Sequence, residues 1–207
     1  MMVLFALSIH RTEDERVFFQ QMETLNRHGF QTSVVSLIDD GLMDGTFSLK
    51  QKLAHLIEVF KRKNPSIIVG DSPIVILAAF RYKKCYASDV RLVYDVTEWI
   101  PSKKNMTNCS LFLRPFKWIA LSLFSCLAGF LTTAFIFGEH HKALPFHLVF
   151  PSKKHLYLSY YATFNKLKRF PIRQNNAEWK LCYSGSLTNE KGFNKVLSVI
   201  IQVAQIR

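Results

Sequence analysis

Short apolar runs alternate with segments of helical periodicity along the first half of this 207-residue chain. Runs of strand length occupy residues 3–9, 32–38, 66–70 and 91–96, and apolar residues at helical spacing follow each of the first three. Strands that alternate with helices across short links form right-handed βαβ units. The chain is therefore predicted to be α/β, with a Rossmann-like, doubly wound parallel sheet.

Residue types at the predicted helix ends support these boundaries. Residues 12–15 (Thr-Glu-Asp-Glu) offer an N-cap and an acidic first turn, and a second helix is predicted from about Ser48 to Lys63. Ser72 and Pro73 predict the start of a third helix, with proline at its first position.

The stretch from Trp118 to Gly138 contains no charged residue and is long enough to cross a bilayer, which takes about 20 residues. Gly129 and the paired threonines that follow weaken a continuous helix. We therefore predict an apolar helix through roughly Phe130 and then a short buried strand at 132–137. A single membrane pass from about Trp118 to Gly138 is the alternative.

Basic and aromatic side chains precede this apolar stretch. Arg114 and Lys117, beside Phe112, Phe116 and Trp118, suit a helix that lies against an anionic membrane surface. The sequence thus favours a cytoplasmic protein held peripherally at the inner membrane face.

Charge and cysteine spacing narrow the classes of partner. Lys and Arg exceed Asp and Glu by 12, which suits phosphorylated ligands, anionic membranes or nucleic acid. No DNA- or RNA-binding motif accompanies the charge, so no nucleic-acid partner is expected. The four cysteines show no C-x-x-C spacing, and the apolar N-terminus is interpreted as a buried strand rather than a leader. The cysteines are therefore expected to be reduced cytoplasmic thiols.

Polar residues stand where the predicted strands end, which is where ligands bind on parallel sheets. The candidate cleft residues are His10, Arg11, Asp71, Asp95, Thr97 and Glu98. A plainer alternative is that Asp71, Thr12 and Ser72 only cap helices, and that His10 is an ordinary loop histidine.

The last residues resemble the opening of another α/β domain. An apolar run reaches a glycine turn at Gly185, and a Glu-Lys-Gly cluster precedes a helix expected to bury one side, formed by Val196, Leu197, Ile200, Ile201 and Val203. We expect a Rossmann-like domain over residues 1–165, a linker over 166–178 and an incomplete second domain over 179–207 that is poorly anchored or leans on the first domain. The sequence is interpreted as a two-domain protein cut short.

Five segments in order resemble the family-4 type glycosyltransferases of the GT-B fold. They are HRTEDERVFFQQMETLNRHGFQTSVVSL, NPSIIVGDS, VYDVTEWIP, EHHKALPF and YSGSLTNEKGF, and together they cover nearly the whole chain. The resemblance implies an enzyme that transfers a sugar from a nucleotide sugar to a polysaccharide or lipid-linked glycan. It implies no metal and no cofactor beyond that co-substrate.

The resemblance also assigns expected roles to residues. The first domain would bind the acceptor, and Gly185, Ser186 and Lys191 of the second would contact the donor phosphates. Thr97 and Glu98 occupy the fourth-strand motif, but Thr97 stands where many members have histidine, so the catalytic residues stay unassigned. Ser186 likewise stands where many members have arginine, and the family's paired glutamates would lie beyond Arg207.

Two classes of function remain open at this point. The first is a glycosyltransferase in truncated or split form, with a separate donor-domain chain as a candidate partner. The second is a non-catalytic acceptor-domain remnant that binds a glycan, a lipid carrier or a partner protein. We expect no measurable sugar transfer by the 207-residue chain alone, because most donor contacts would belong to other sequence.

Overall fold

The computed structural model describes residues 1–43, 46–98, 101, 106, 110–158 and 193–205. The chain divides into two compact units, Met1–Phe164 and Asn165–Arg207. The first unit contains the sheet and the candidate cleft, and the second contains one described helix.

The six strands that the structure describes in the first unit all pair in parallel, in the order β2-β1-β3-β4-β5-β6. This confirms the predicted α/β class and parallel sheet, and it adds a sixth strand that the sequence did not predict. The strands are β1 (Met2–Leu7), β2 (Gln31–Ser36), β3 (Ile67–Gly70), β4 (Arg91–Val96), β5 (Ala134–Phe137) and β6 (Lys154–Tyr157).

Helices connect successive strands. A π-helical segment, Arg16–Met22, continues directly into α1, and a 3₁₀ turn, Leu111–Leu113, precedes α4. The α-helices are α1 (Glu23–Arg27), α2 (Leu49–Lys63), α3 (Pro73–Cys85), α4 (Arg114–Leu131), α5 (His140–Val149) and α6 (Phe193–Gln205). Ser48 begins α2 with a capping box to Gln51, as its residue type favours.

The predicted start of the first helix is wrong. Helical backbone begins at Glu15, and the Asp14 carboxylate, rather than Thr12, accepts hydrogen bonds from the N–H groups of Arg16 (3.1 Å) and Val17 (3.2 Å). Thr12 lies before the helix and is bound elsewhere, since its backbone N–H donates to Asp39 at 2.7 Å and its hydroxyl also contacts the Asp39 carboxylate. Asp14 therefore caps the helix, Thr12 and Glu13 precede it, and Glu15 already has helical backbone angles.

The predicted division of the apolar stretch is confirmed. Helix α4 ends at Leu131, and β5 lies between β4 and β6 in the sheet. The region Leu111–Leu131 has the length and mean hydropathy (1.4) of a helix that could cross a membrane. The alternative span from Trp118 to Gly138 is therefore not one continuous helix, because the helix ends at Leu131 and Ala134–Phe137 forms a paired strand.

Apolar side chains fill both faces of the sheet. On one face, α2 and α3 cover β1, β3 and β4, and α4 and α5 cover β4 and β5. On the other face, the π-helical segment and α1 cover β1 and β2. Gly70 ends β3 where a Cβ atom would come within 2.8 Å of Val75, so the close approach of α3 requires glycine there.

The predicted burial of one side of the last helix is wrong for its described side chains. Leu197, Ile200 and Ile201 of α6 are 39–56% exposed. The unit Asn165–Arg207 is too short to bury much apolar surface by itself.

Candidate functional site

The candidate site lies where β1, β3 and β4 end. The chain leaves β1 to form β2 on one side and then crosses to β3 on the other, so the strand order reverses between β1 and β3. In open parallel sheets, ligands bind at such a point, beside the carboxyl ends of the strands.

Asp71 fixes the beginning of the loop that follows β1. The backbone N–H of Ser8 donates to both carboxylate oxygens at 2.9 Å, and the N–H of Ile9 donates at 3.0 Å. Burial raises the pKa of Asp71, and the two backbone donors oppose that rise. Ser72 does not cap α3 with its side chain; its hydroxyl contacts the hydroxyl of Ser8 at 2.5 Å. The capping alternative is therefore wrong for both residues.

The same loop is held at two more points by residues at and after β2. The Ser36 hydroxyl donates to the carbonyl of His10 at 2.7 Å. The Asp39 carboxylate accepts the N–H of Thr12 at 2.7 Å, and this bond lowers the pKa of Asp39. Residues 8–12 are therefore attached to the ends of both neighbouring strands.

His10 bridges two side chains through its two ring nitrogens. Its Nδ1 lies 2.9 Å from the Asp14 carboxylate, and its Nε2 lies 3.1 Å from the Thr97 hydroxyl. The hydrogen bond with Asp14 raises the pKa of His10 above 6.5, although burial opposes it, and the same bond lowers the pKa of Asp14. The pair favours a protonated imidazole whose second N–H points to Thr97.

Lys142, in the first turn of α5, brings a second cation to the same residue. Its ammonium donates to the Thr97 carbonyl at 2.6 Å and lies 3.5 Å from the Glu139 carboxylate. Thr97 itself is buried, with 5% of its surface exposed. His10 and Lys142 therefore contact the hydroxyl and the carbonyl of one threonine at the sheet edge.

Asp95 anchors the π-helical segment to β4. One carboxylate oxygen lies 2.8 Å from the Arg16 guanidinium, and the other accepts from the Gln21 amide at 2.9 Å. All three residues are buried. Burial raises the pKa of Asp95, and the Arg16 charge opposes it. π-Helical turns are often found at functional sites, and this one carries both partners of Asp95.

The predicted cleft residues therefore divide into two groups. The structure brings His10 and Thr97 into contact, whereas Asp71 and Asp95 are 3% exposed and are engaged with the protein itself. Arg11 and Glu98 are exposed at the same edge. The predicted donor-phosphate residues Gly185, Ser186 and Lys191 lie outside the described residues, as do Cys109 and Cys182.

Asp14 and Lys142 contact the site but were not among the cleft residues predicted from the sequence. Asp14 stands four positions after His10, and Lys142 stands in the quoted segment EHHKALPF. Lys142 lies shortly after β5, and its position near the end of that predicted strand is the signal that identifies it. Within the part of the chain that the structure describes, no three His, Cys, Asp or Glu side chains are grouped to hold a metal ion.

Neither a protein-family model nor a curated protein sequence matches this chain. Among solved structures, it is similar to a UDP-GlcNAc 2-epimerase from Methanocaldococcus jannaschii, with a TM-score of 0.48, 10% identity, and coverage of 76% of this chain and 45% of that chain. A UDP-GlcNAc 2-epimerase from Neisseria meningitidis, bound to UDP-GlcNAc, gives a TM-score of 0.49 and 14% identity over the same shares. A solute-binding protein of an ABC transporter system from Conexibacter woesei gives a TM-score of 0.32 and 13% identity. That match covers 49% of this chain and 31% of the other chain.

The chain spans 45% of the length of the two epimerases. At these scores and identities the likenesses carry no argument about function. The parallel α/β fold stands on the strand order itself.

Proposed function

We propose that this chain forms the acceptor side of a GT-B-type glycosyltransferase, which moves a sugar from a nucleotide sugar to a polysaccharide or lipid-linked glycan. The observation that supports the proposal is the cluster of His10, Thr97 and Lys142 at the point where the strand order reverses. The sequence resemblance supplies the reaction class.

The cluster has the chemistry that such a transfer needs. The bond between the anomeric carbon and the diphosphate oxygen breaks, and the acceptor oxygen bonds to the anomeric carbon. The acceptor's hydroxyl proton passes to the departing diphosphate, on which negative charge grows. Fixed cations stabilise such charge. The ammonium of Lys142 supplies positive charge beside Thr97, and the raised pKa of His10 favours the charged form of its imidazole. Glu98 and Arg11 offer exposed groups to sugar hydroxyls at the same edge.

The buried carboxylates act on the site through the backbone. Asp71 holds the loop that carries His10, and Asp95 holds the π-helical segment that follows it. We assign both as positioning residues. On the donor side, Gly185, Ser186 and Lys191 are proposed to contact the phosphates, with a separate donor-domain chain as the candidate partner. We place the activity on the cytoplasmic side, at a membrane surface.

Acceptor binding by the purified chain tests the proposal. Binding to an array of oligosaccharides and glycolipids is expected to weaken about fivefold to tenfold in Thr97→Val and in Lys142→Met, since each loses a hydrogen-bonding group worth about 1 kcal/mol. Thr32→Val is the matched control, because its hydroxyl donates to Asn26, away from the cluster. Binding that all three variants retain equally would contradict the assignment of the site.

Turnover separates the enzyme from a non-catalytic binding module. With labelled nucleotide sugars and a bound acceptor, we expect no measurable transfer by the chain alone, and transfer once a donor domain is supplied. Robust transfer by the chain alone, abolished in Lys191→Ala, would place a complete donor site within these residues. Consumption of the nucleotide sugar without a glycosylated product would contradict sugar transfer.

A further inference from the structure

The outer surface of α4 is apolar along its whole length. Phe116, Ile119, Leu123, Leu127 and Phe130 recur every three or four residues and are 47–72% exposed. This spacing places them on one side of the helix. Only 11% of the most apolar part of Leu111–Leu131 is buried, whereas a core helix would be mostly buried. A continuous exposed stripe of this kind marks an interaction surface.

Helix α5 extends this surface. Leu144, Leu148 and Val149 are 54–76% exposed, and α5 follows α4 as the next crossover on the same side of the sheet. A cavity of about 330 Å³ lies between the two helices, with room for part of a hydrocarbon chain. Its lining residues are Trp118, Ser122, Ser125, Cys126, Pro145, Phe146, Val149 and Phe150.

The part of the first unit that carries this surface is basic. Residues 110–158, which include α4 and α5, hold five Lys and Arg against one acidic residue, whereas residues 1–98 hold twelve Lys and Arg against twelve Asp and Glu. Glu139 is the only acidic residue between Glu98 and Glu178. Arg114 and Lys117 stand at the beginning of α4. An anionic partner is favoured, and a second copy of the chain would bring the same positive charge.

The contacts of α4 are those of a helix that lies along the sheet. It connects β4 to β5, which are hydrogen-bonded neighbours. At its end the Lys153 ammonium donates to the carbonyls of Gly129, Phe130 and Thr132 at 2.5–2.8 Å. Insertion of α4 across a bilayer would break these bonds and draw β5 out of the sheet.

We infer that the exposed sides of α4 and α5 form a docking face for an anionic lipid bilayer. The helix α4 lies in the plane of the interface, with its stripe among the acyl chains and with Arg114 and Lys117 at the lipid phosphates. The cavity between α4 and α5 receives acyl-chain segments. This inference stands on the exposed surface and the charge distribution, and it does not depend on the sugar chemistry.

Vesicle flotation of the full chain tests the apolar part of the face. With vesicles of phosphatidylcholine and phosphatidylglycerol, Leu123→Ser is expected to lower the partition coefficient at least about tenfold, because it removes a side chain from the acyl region. Leu49→Ser, a similar exposed leucine at the beginning of α2 (49% exposed), is expected to leave it unchanged. Equal binding by the two variants would overturn the inference.

The charge contribution is tested with the same vesicles. Arg114→Gln and Lys117→Gln are each expected to weaken binding about fivefold, corresponding to about 1 kcal/mol per basic residue at an anionic surface. The paired control is Lys50→Gln with Lys52→Gln, at the beginning of α2. Failure to bind anionic vesicles, or release from natural membranes only by detergent and not by carbonate, would overturn the inference.

Trp118 reports on the cavity directly. In a chain that carries Trp99→Phe and Trp179→Phe, lipids brominated on their acyl chains are expected to quench Trp118, and vesicles are expected to shield it from iodide. Absence of quenching would overturn the proposed orientation. So would a dimer in sedimentation analysis that Leu123→Ser dissociates, since a second copy would then occupy the face.

Discussion

At the scale of single residues, the polar groups of the strand ends hold one another in place. His10 is fixed through both ring nitrogens, and the carboxylates of Asp71 and Asp95 are engaged by backbone N–H groups and by Arg16 and Gln21. These contacts fix the positions of the polar side chains at the strand ends, which is the condition for electrostatic preorganisation.

Asp14→Asn is expected to lower the pKa of His10, because it removes the carboxylate that raises that pKa while burial continues to lower it. The measurement is an NMR titration of the imidazole protons. Asp40→Asn is the matched control, since Asp40 contacts His55 at 2.7 Å and not His10. An unchanged His10 titration in Asp14→Asn would contradict the assigned pair.

The same pair predicts a pH dependence of stability. Because the folded-state pKa of His10 is raised, its contribution is complete below about pH 6.5, the unfolded value, and is lost as the pH rises through the folded value. On the acid side it is lost as the pH falls through the lowered pKa of Asp14. Urea unfolding across this range should show a difference of about 0.5–1 kcal/mol between the wild type and Asp14→Asn.

Arg16→Met is expected to lower the free energy of unfolding by about 3–5 kcal/mol, because it leaves Asp95 as a buried charge without its cation. Urea denaturation followed by circular dichroism measures the loss. Arg27→Met removes an exposed pair with Glu23 and should cost about 0.5 kcal/mol or less. Equal losses in the two variants would show that the buried pair contributes no more than the exposed one.

The sequence predicted which residues occupy the strand ends but not which residues they contact. His10, Asp71, Asp95 and Thr97 could be chosen because each follows or ends an apolar run. The hydrogen bond between Asp95 and Gln21 could not be predicted, since Gln21 lies 74 positions away in the sequence and only the fold brings the two residues together. The expectation of a helix cap at Thr12 was wrong for a similar reason, because Asp39 from another loop binds both its N–H and its hydroxyl.

At the scale of elements, the apolar stretch around α4 and β5 was predictable because its residue types change along its length. Gly129 and the threonines end the helix, and aromatic and branched residues form the strand. The strand β6 was not predictable, since Lys154 and His155 give it no apolar run. The π-helical segment was also missed, because its apolar residues have the spacing of an ordinary helix.

Lys153→Met is expected to destabilise the domain by about 1–3 kcal/mol, since the carbonyls at the end of α4 lose a charged donor. Burial lowers the pKa of Lys153, in keeping with an ammonium enclosed among Phe130, Phe135 and Phe150. Thermal unfolding provides the measurement, and Lys154→Met on exposed β6 is the control. A Lys153→Met variant as stable as the control would remove this lysine from the account of α4.

At the scale of the whole molecule, the chain contains one well-packed unit and one small one. Amide hydrogen exchange is expected to be slow in β1, whose residues Val3–Leu7 are buried, and faster by orders of magnitude in α6, whose described side chains are exposed. Protection of α6 equal to that of β1 would contradict this expectation.

The central claim is that the carboxyl edge of the sheet, at the reversal of strand order, is the ligand site. An NMR titration of the ¹⁵N-labelled chain with UDP-glucose, UDP-GlcNAc, GDP-mannose and soluble oligosaccharides tests it most directly. The account predicts that the largest shift changes occur at the amides of residues 8–12, Thr97 and Lys142, and that His10→Ala weakens them. Changes confined to the opposite edge, at Gln31, Ile67 and Arg91, or no change with any ligand, would contradict it.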